Sequence, residues 1–333
     1  MRRMPERFAG MAVLAQNKST MRRRERHGSH HHPKKRPYRE GRRSAHARGR
    51  RPSGRSSANA PVAAPRSNGN GEKVYIYGKH ALREALAYAP QAVRRVFLSP
   101  DMDDAELRAL VKRHGIEAGA LRSGDAGQMV GRETAHQGAI AILHTGSLMM
   151  PFDRFLESLT DGGRRAPGAD TLVVLLDELT DPHNVGAVIR SAAAFGAAGV
   201  LIPSHNQAPI TGTVVKTSAG MAFRVPLIAI GNVNQAVDAL KSEGFAVYGL
   251  VMDGPTNIAE EPFRNPSLVI VGNEGEGIRE KTLARCNVRL RIPMDPRAES
   301  LNASVSAAVV LYQWSVKHPP AEGGAGREQP APQ

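Results

Sequence analysis

Three short segments in the second half of this chain combine side chains able to orient a reacting group with glycines that admit a ligand to the backbone. The first is Asp181-Pro182-His183-Asn184-Val185-Gly186, which runs into a helical pattern presenting Arg190. Asn184 suits the cap of that helix. Arg190 lies among Ala, Val, Ile and Phe, and a guanidinium on so apolar a helix calls for an anionic partner, a phosphate or a carboxylate. The second is Gly272-Asn273-Glu274-Gly275-Glu276-Gly277, after the apolar run Leu268 to Val271. Its glycines permit close backbone approach. A dinucleotide-binding fingerprint follows the first strand of its domain and has no acids between its glycines. Here Glu274 and Glu276 would repel a pyrophosphate, so a neutral or cationic ligand fits better. The chain has no Gly-Lys-Ser/Thr phosphate cradle, which argues against an ATPase or GTPase. The third segment is Ile292-Pro293-Met294-Asp295-Pro296-Arg297-Ala298-Glu299, followed by Ser300-Leu301-Asn302-Ala303-Ser304. Ser300 reads as the N-cap of a last helix, with Asn302 and Ser304 in the first turn, where free N–H groups and side chains face a ligand.

Such loops need strand ends to stand on. From Thr171 the sequence alternates apolar runs (Leu172 to Leu176, Gly199 to Pro203, Phe245 to Met252, Leu268 to Gly272, Val288 to Met294) with helical stretches (Val185 to Ala197, Thr213 to Met221, Val233 to Glu243, Arg279 to Arg285, Leu301 to Val316). This predicts an α/β domain over 170–318, with a mostly parallel sheet covered on both faces and ligands at the C-terminal strand ends. Upstream, Val74 to His80, a helix at Ala81 to Tyr88, a strand at Val93 to Leu98, a helix at Asp101 to Gly115 and a strand at Gly138 to Leu143 predict a second, smaller α/β domain over 73–146. Turn chemistry at Asp161-Gly162-Gly163 and Ala166-Pro167-Gly168 marks 147–169 as a linker.

Charge is concentrated at one end. Residues 1–72 hold 19 of the 45 Lys and Arg but only 4 of the 31 Asp and Glu, so the rest is close to neutral. This tail is rich in Arg, Ser, Gly, Pro and His without hydrophobic periodicity after residue 20, and is expected to be disordered, as is 319–333. Its basic runs would release counterions from a polyanion, giving salt-sensitive, sequence-independent attraction to RNA. Met11 and Met21 are alternative starts. Glu6 and Glu25 interrupt the acid-poor character of an organellar presequence. One cysteine, Cys286, excludes an intramolecular disulfide and a Cys-rich zinc site and fits a reducing compartment; a cytoplasmic protein is expected. No run of 18 apolar residues occurs, and no membrane partner is expected.

Together, DPHNVGAVIRSAAAFGA, VIVGNEGEGI and IPMDPRAESLNASVSAAVVLYQW resemble the three ordered motifs of the SpoU, or TrmH-like, family of SPOUT RNA methyltransferases. Lys216-Thr217-Ser218-Ala219-Gly220 fits the family's helix between the first two motifs, and Tyr77-Gly78-Lys79-His80-Ala81 and His136-Gln137-Gly138 look like its small substrate-binding domain. The resemblance implies a trefoil-knotted catalytic domain, a homodimer with the pocket beside the subunit interface, and S-adenosyl-L-methionine as the cationic cofactor, with no metal required. It implies methyl transfer to a ribose 2′-hydroxyl, foremost on a guanosine of 23S rRNA; the alternatives are a tRNA ribose methyltransferase and a non-catalytic RNA-binding or assembly protein. Carried over residue by residue, Arg190 and Asn302 line the reacting ribose, with Asn184 and Glu274 supporting them and Ser304 a further candidate, and Gly272, Ile292 and Leu301 hold the cofactor. Pro296 stands where the family commonly has a glycine, so a positive-φ turn is not expected there.

Overall fold

The computed structural model describes residues 73–122, 124–159 and 170–319. The expected tail over 1–72, and 320–333 at the other end, lie outside the described residues.

The small domain contains β1 (Lys73–Tyr77), α1 (Lys79–Tyr88), β2 (Val93–Leu98), α2 (Ala105–Arg113), β3 (Glu117–Ala120), α3 (Asp125–Val130) and β4 (Ala139–His144). Its sheet runs β1-β4-β2-β3, with β4 antiparallel to both neighbours. Sequence patterning misses β3 and α3. Glu117 to Ala120 is mostly exposed and has no apolar alternation, so only its pairing with β2 makes it a strand.

The chain continues with β5 (Met149–Pro151), α4 (Phe152–Leu159), β6 (Leu172–Asp177), α5 (Pro182–Ala194), β7 (Gly199–Pro203), α6 (Gly212–Thr217), β8 (Leu227–Ile230), α7 (Val233–Ser242), β9 (Ala246–Leu250), β10 (Thr256–Asn257), β11 (Ser267–Gly272), α8 (Glu280–Leu283), β12 (Val288–Arg291) and α9 (Ala303–Lys317). The strands form one sheet in the order β10-β12-β9-β11-β6-β7-β8-β5, parallel at every pairing. The stretch expected as a linker over 147–169 therefore begins with a strand and a helix of this sheet. Phe155, on α4, is buried in one core with Val173, Leu175 and Leu201; the turn signals at 161–163 and 166–168 fall on residues 160–169, outside the described part.

β6 shows why the alternation predicts the layers. All six of its residues are buried. Leu172, Val174 and Leu176 share a core with Val188 and Ile189 of α5 and Val310 and Leu311 of α9, whereas Val173 and Leu175 join Val237 and Leu240 of α7 on the other face. Each such buried side chain contributes roughly 1.5–3 kcal/mol, so a sheet covered on both sides selects continuous apolar strands. The register pairs Asp177 of β6 with Gly272 of β11 at their C-terminal ends, and ligands of open α/β sheets bind outside that edge.

Candidate active site

All three sequence segments gather at that edge. Asp181 caps α5, accepting from His183 N at 2.8 Å with Pro182 in the first turn, so the cap expected of Asn184 is already provided. Asn184, 7% exposed, is used otherwise. Its Nδ2 donates to Glu274 Oε1 at 2.9 Å, and its Oδ1 accepts from Asn302 Nδ2 at 2.9 Å. Asn302, rather than Ser300, caps α9: its Oδ1 accepts from Ser304 N at 2.9 Å, Val305 N at 3.4 Å and Ser304 Oγ at 2.6 Å. The donors at the helix end fix which face of the Asn302 amide is oxygen. That fixes Asn184, whose NH₂ then meets an acceptor-only carboxylate. Glu274, Asn184, Asn302 and Ser304 thus form one oriented relay across three segments, with Asn184 90 positions from Glu274 and 118 from Asn302.

Arg190 does not join it. Six residues beyond Asn184 it stands roughly 120° around the helix. It is exposed, and no ion pair or hydrogen bond engages it among the described residues.

The Gly272 to Gly277 loop folds back on its own strand end, with Asn273 and Gly277 exchanging backbone hydrogen bonds. A Cβ at Gly272 would sit 2.4 Å from the Gly277 carbonyl carbon, so only glycine allows this return. Two supports not expected from the sequence pin the loop. Asn273 Nδ2 donates to the carbonyl of Glu178, a residue at φ 64°, at 2.7 Å. Arg279 donates from Nε (2.9 Å) and Nη2 (2.6 Å) to Asp177 Oδ1, from its backbone N to Asp177 Oδ2 at 3.1 Å, and from Nη1 to Glu178 Oε1 at 2.8 Å. Asp177 is fully buried, and its carboxylate is matched by three donors, as a buried charge requires. The only hint in the sequence is an aspartate ending an apolar strand, and its partner lies 102 positions away.

A cleft of about 370 Å³ opens beside this loop. Leu250, Val271, Ile278, Ile292 and Leu301 give it an apolar wall, and Glu274, Glu276 and Asp253 an acidic one. Gly272, Ile292 and Leu301, the expected cofactor contacts, all line it; Pro296 does not. Pro296 is the second residue of a turn closed by Ala298 N to Asp295 O at 2.9 Å, a position that its fixed φ suits. The Arg297 guanidinium and amide hold the Asp295 carboxyl below the ordinary carboxylate range.

The chain matches the model of the SpoU rRNA methylase family over residues 171–312, and that of the RNA 2′-O ribose methyltransferase substrate-binding domain over 75–146. Relatives named 23S rRNA (guanosine-2′-O-)-methyltransferase RlmB are 30% identical over 241 residues in Pseudomonas syringae pv. tomato (72% of this chain, 93% of the relative) and 34% over 247 residues in Xylella fastidiosa (73% and 96%). In fold, the chain is similar to the SpoU methyltransferase AviRb of Streptomyces viridochromogenes in complex with AdoMet (TM-score 0.61, 24% identity, 74% of this chain and 90% of that one). It is also similar to an rRNA methyltransferase of Sinorhizobium meliloti (TM-score 0.62, 18% identity, 75% and 88%). With both domains matched and more than nine-tenths of such relatives covered, this chain belongs to the SpoU rRNA methylase family.

Proposed function

We propose that this protein transfers a methyl group from S-adenosyl-L-methionine to a ribose 2′-hydroxyl of RNA, on a guanosine of 23S rRNA. The observation that carries the proposal is the Glu274–Asn184–Asn302–Ser304 relay at the rim of an acidic and apolar cleft. The cleft fits the cofactor. Its backbone-lined loop and apolar wall suit an adenosine, and its carboxylates favour a cation over a polyphosphate. Gly272, Ile292 and Leu301 would hold the cofactor, and when bound it supplies a methyl group already activated by a sulfonium leaving group. The chain must then seat the 2′-hydroxyl in line and stabilise the charge that develops on its oxygen. Asn302 and Ser304 orient the ribose, with Asn184 and Glu274 fixing the Asn302 amide. Arg190 meets the developing charge or an adjacent phosphate.

Two further parts of this reading have their own support. Ser300, Leu301, Ala303 and Ser306 line the same cleft as the loops after β9 and β11, which is consistent with a last helix threaded through a trefoil knot. Val305, Tyr312 and Val316, 48%, 56% and 51% exposed, make an apolar stripe along α9 that suits a homodimer contact. The small domain is the expected site of RNA recognition. Ribose-methylation mapping of 23S rRNA from cells with and without this gene tests the assignment. One guanosine should lose its 2′-O-methyl; an unchanged map would overturn it, and loss from a tRNA instead would favour the tRNA enzyme.

A further inference from the structure

The segment from Gly212 to Arg224 touches both domains. On the small-domain side, Arg224 donates to Glu84 of α1 from Nε at 2.6 Å and Nη2 at 2.9 Å, a two-pronged pair with Glu84 only 8% exposed. The Arg224 guanidinium also lies 4.3 Å from the ring centroid of Tyr88. Gly220 is left-handed (φ 81°), and a Cβ there would come within 2.7 Å of Glu84 Cγ, so the Glu84 stem is seated on bare backbone. At Gly212 a Cβ would meet the carbonyl oxygen of Tyr75 on β1 at 2.1 Å, and Lys216 Nζ lies 5.2 Å from the Tyr77 ring centroid. On the other side, Val214 and Val215 are buried in one core with Val185 and Val188 of α5, and Thr217 Oγ1 lies 3.4 Å from His183 Nδ1, next to Asn184. That core continues without a break into Leu82, Ala85 and Leu86 of α1.

Taking the proposed RNA methyl transfer as its basis, we propose that residues 212–224 form a rigid bracket between RNA-binding domain and catalytic helix. Glu84 and Arg224 are then positioning residues that set where bound RNA stands relative to Asn184 and Arg190, without touching RNA or cofactor themselves. A flexible tether would need neither a two-pronged ion pair on a buried carboxylate nor glycines at backbone contact distance. The chemistry makes such placement valuable, because an error of about 1 Å in a reacting group costs about 100-fold in rate.

The test uses the full chain as Arg224→Ala and as Arg224→Lys, which keeps a charge beside the buried Glu84 carboxylate but loses the fork. Methyl transfer to a 23S rRNA transcript is followed at saturating RNA and cofactor, with the affinity for each measured separately. Arg224→Ala should lower kcat about 100-fold and Arg224→Lys about tenfold, while both dissociation constants stay within about threefold of the parent. An unchanged kcat in either variant would overturn the bracket. Weakened RNA binding would instead make Arg224 an RNA contact, and parallel loss of cofactor binding in the Lys variant would make the pair merely structural; either result overturns the proposal. If the parent chain transfers no methyl group to any RNA, the functional reading itself fails and the bracket falls with it.

Discussion

The two domains hold their working parts with different chemistry. At the C-terminal edge of the large sheet, amides and one carboxylate form a single oriented relay, braced by Arg279 on the buried Asp177. In the small domain, ion pairs prevail. Asp104, which caps α2, is shared by Arg83 at 3.0 Å and Lys79 at 3.7 Å, and Arg95 pairs with Glu117 on the neighbouring strand. An oriented amide relay admits one geometry and is insensitive to salt, whereas half-exposed ion pairs contribute little each and respond to salt and pH. Damage to the first should appear in the rate of chemistry, and damage to the second in stability.

Arg190→Ala sharpens the contrast most. Arg190 is exposed and bonded to nothing among the described residues, so its loss should leave folding and RNA binding nearly unchanged. Methyl transfer should fall about 1000-fold, the loss expected when a group that stabilises developing charge is removed. An unaltered turnover, beside RNA affinity measured by filter binding, would sink its assigned role.

Asn184→Asp comes next. The added carboxylate cannot donate to Glu274 and faces it as a like charge, while Asn302 keeps an acceptor. Leaving one buried group unmatched costs about 1–3 kcal/mol, or roughly 5- to 150-fold in kcat if the relay orients the ribose. The Glu274→Gln change made in the same chain should recover part of that loss by removing the repulsion. Equal rates for the single and double variants would break the relay.

How far these residues were legible follows from the same contrast. Continuous apolar strands such as Leu172 to Leu176 and Gly199 to Pro203 declare themselves, since burial on both faces leaves no polar positions to confuse the pattern. β8, a four-residue strand, and β5, with its terminal proline, are too short to show a period. In the site, the side chains that meet were identifiable by type, but their partners were not. Asn184 and Ser300 are both good caps on propensity, yet Asp181 and Asn302 hold those positions because tertiary partners claim Asn184 and the chain turns into α9 later than Ser300. Arg279 carried no signal, because a guanidinium reaching back to Asp177 depends on register between β6 and β11 rather than on local sequence.

Asp104→Asn examines the small domain. The Leu107 amide foremost, and then Arg83 and Lys79, hold the Asp104 carboxyl below its ordinary value. A carboxyl whose pKa is depressed in the folded state stabilises above its unfolded pKa of about 4, and that stability disappears as pH falls through the folded value. Asparagine can still accept from Leu107 but cannot pair with the cations. The variant should therefore lose about 0.5–1 kcal/mol at pH 7 in low salt, with the deficit shrinking towards pH 2 and in 1 M salt. A deficit independent of both would mean that capping, not charge, holds α2.

The smallest expected effect on activity belongs to Cys286, and it tests the rigidity assumed for the cleft. Its sulfur packs behind the wall of the cleft: a Cβ on Gly249 of β9 would lie 2.7 Å from Sγ and 3.3 Å from Ile278, a residue that lines the cleft. Burial pushes the thiol up to about 11. At pH 8 only about one thiol in a thousand would be the reactive thiolate, so native alkylation by iodoacetamide should run about 100-fold slower than in urea. Cys286→Ser should keep methyl transfer near the parent rate, because no step uses the sulfur. Cys286 is half-buried, and alkylation faster than its raised pKa allows would mean that β9 and α8 open around it. A wall that opens so readily could not hold Leu250, Ile278 and Leu283 around a cofactor, and the distinction between a fixed catalytic edge and a charge-tuned RNA domain would fail at its stronger side.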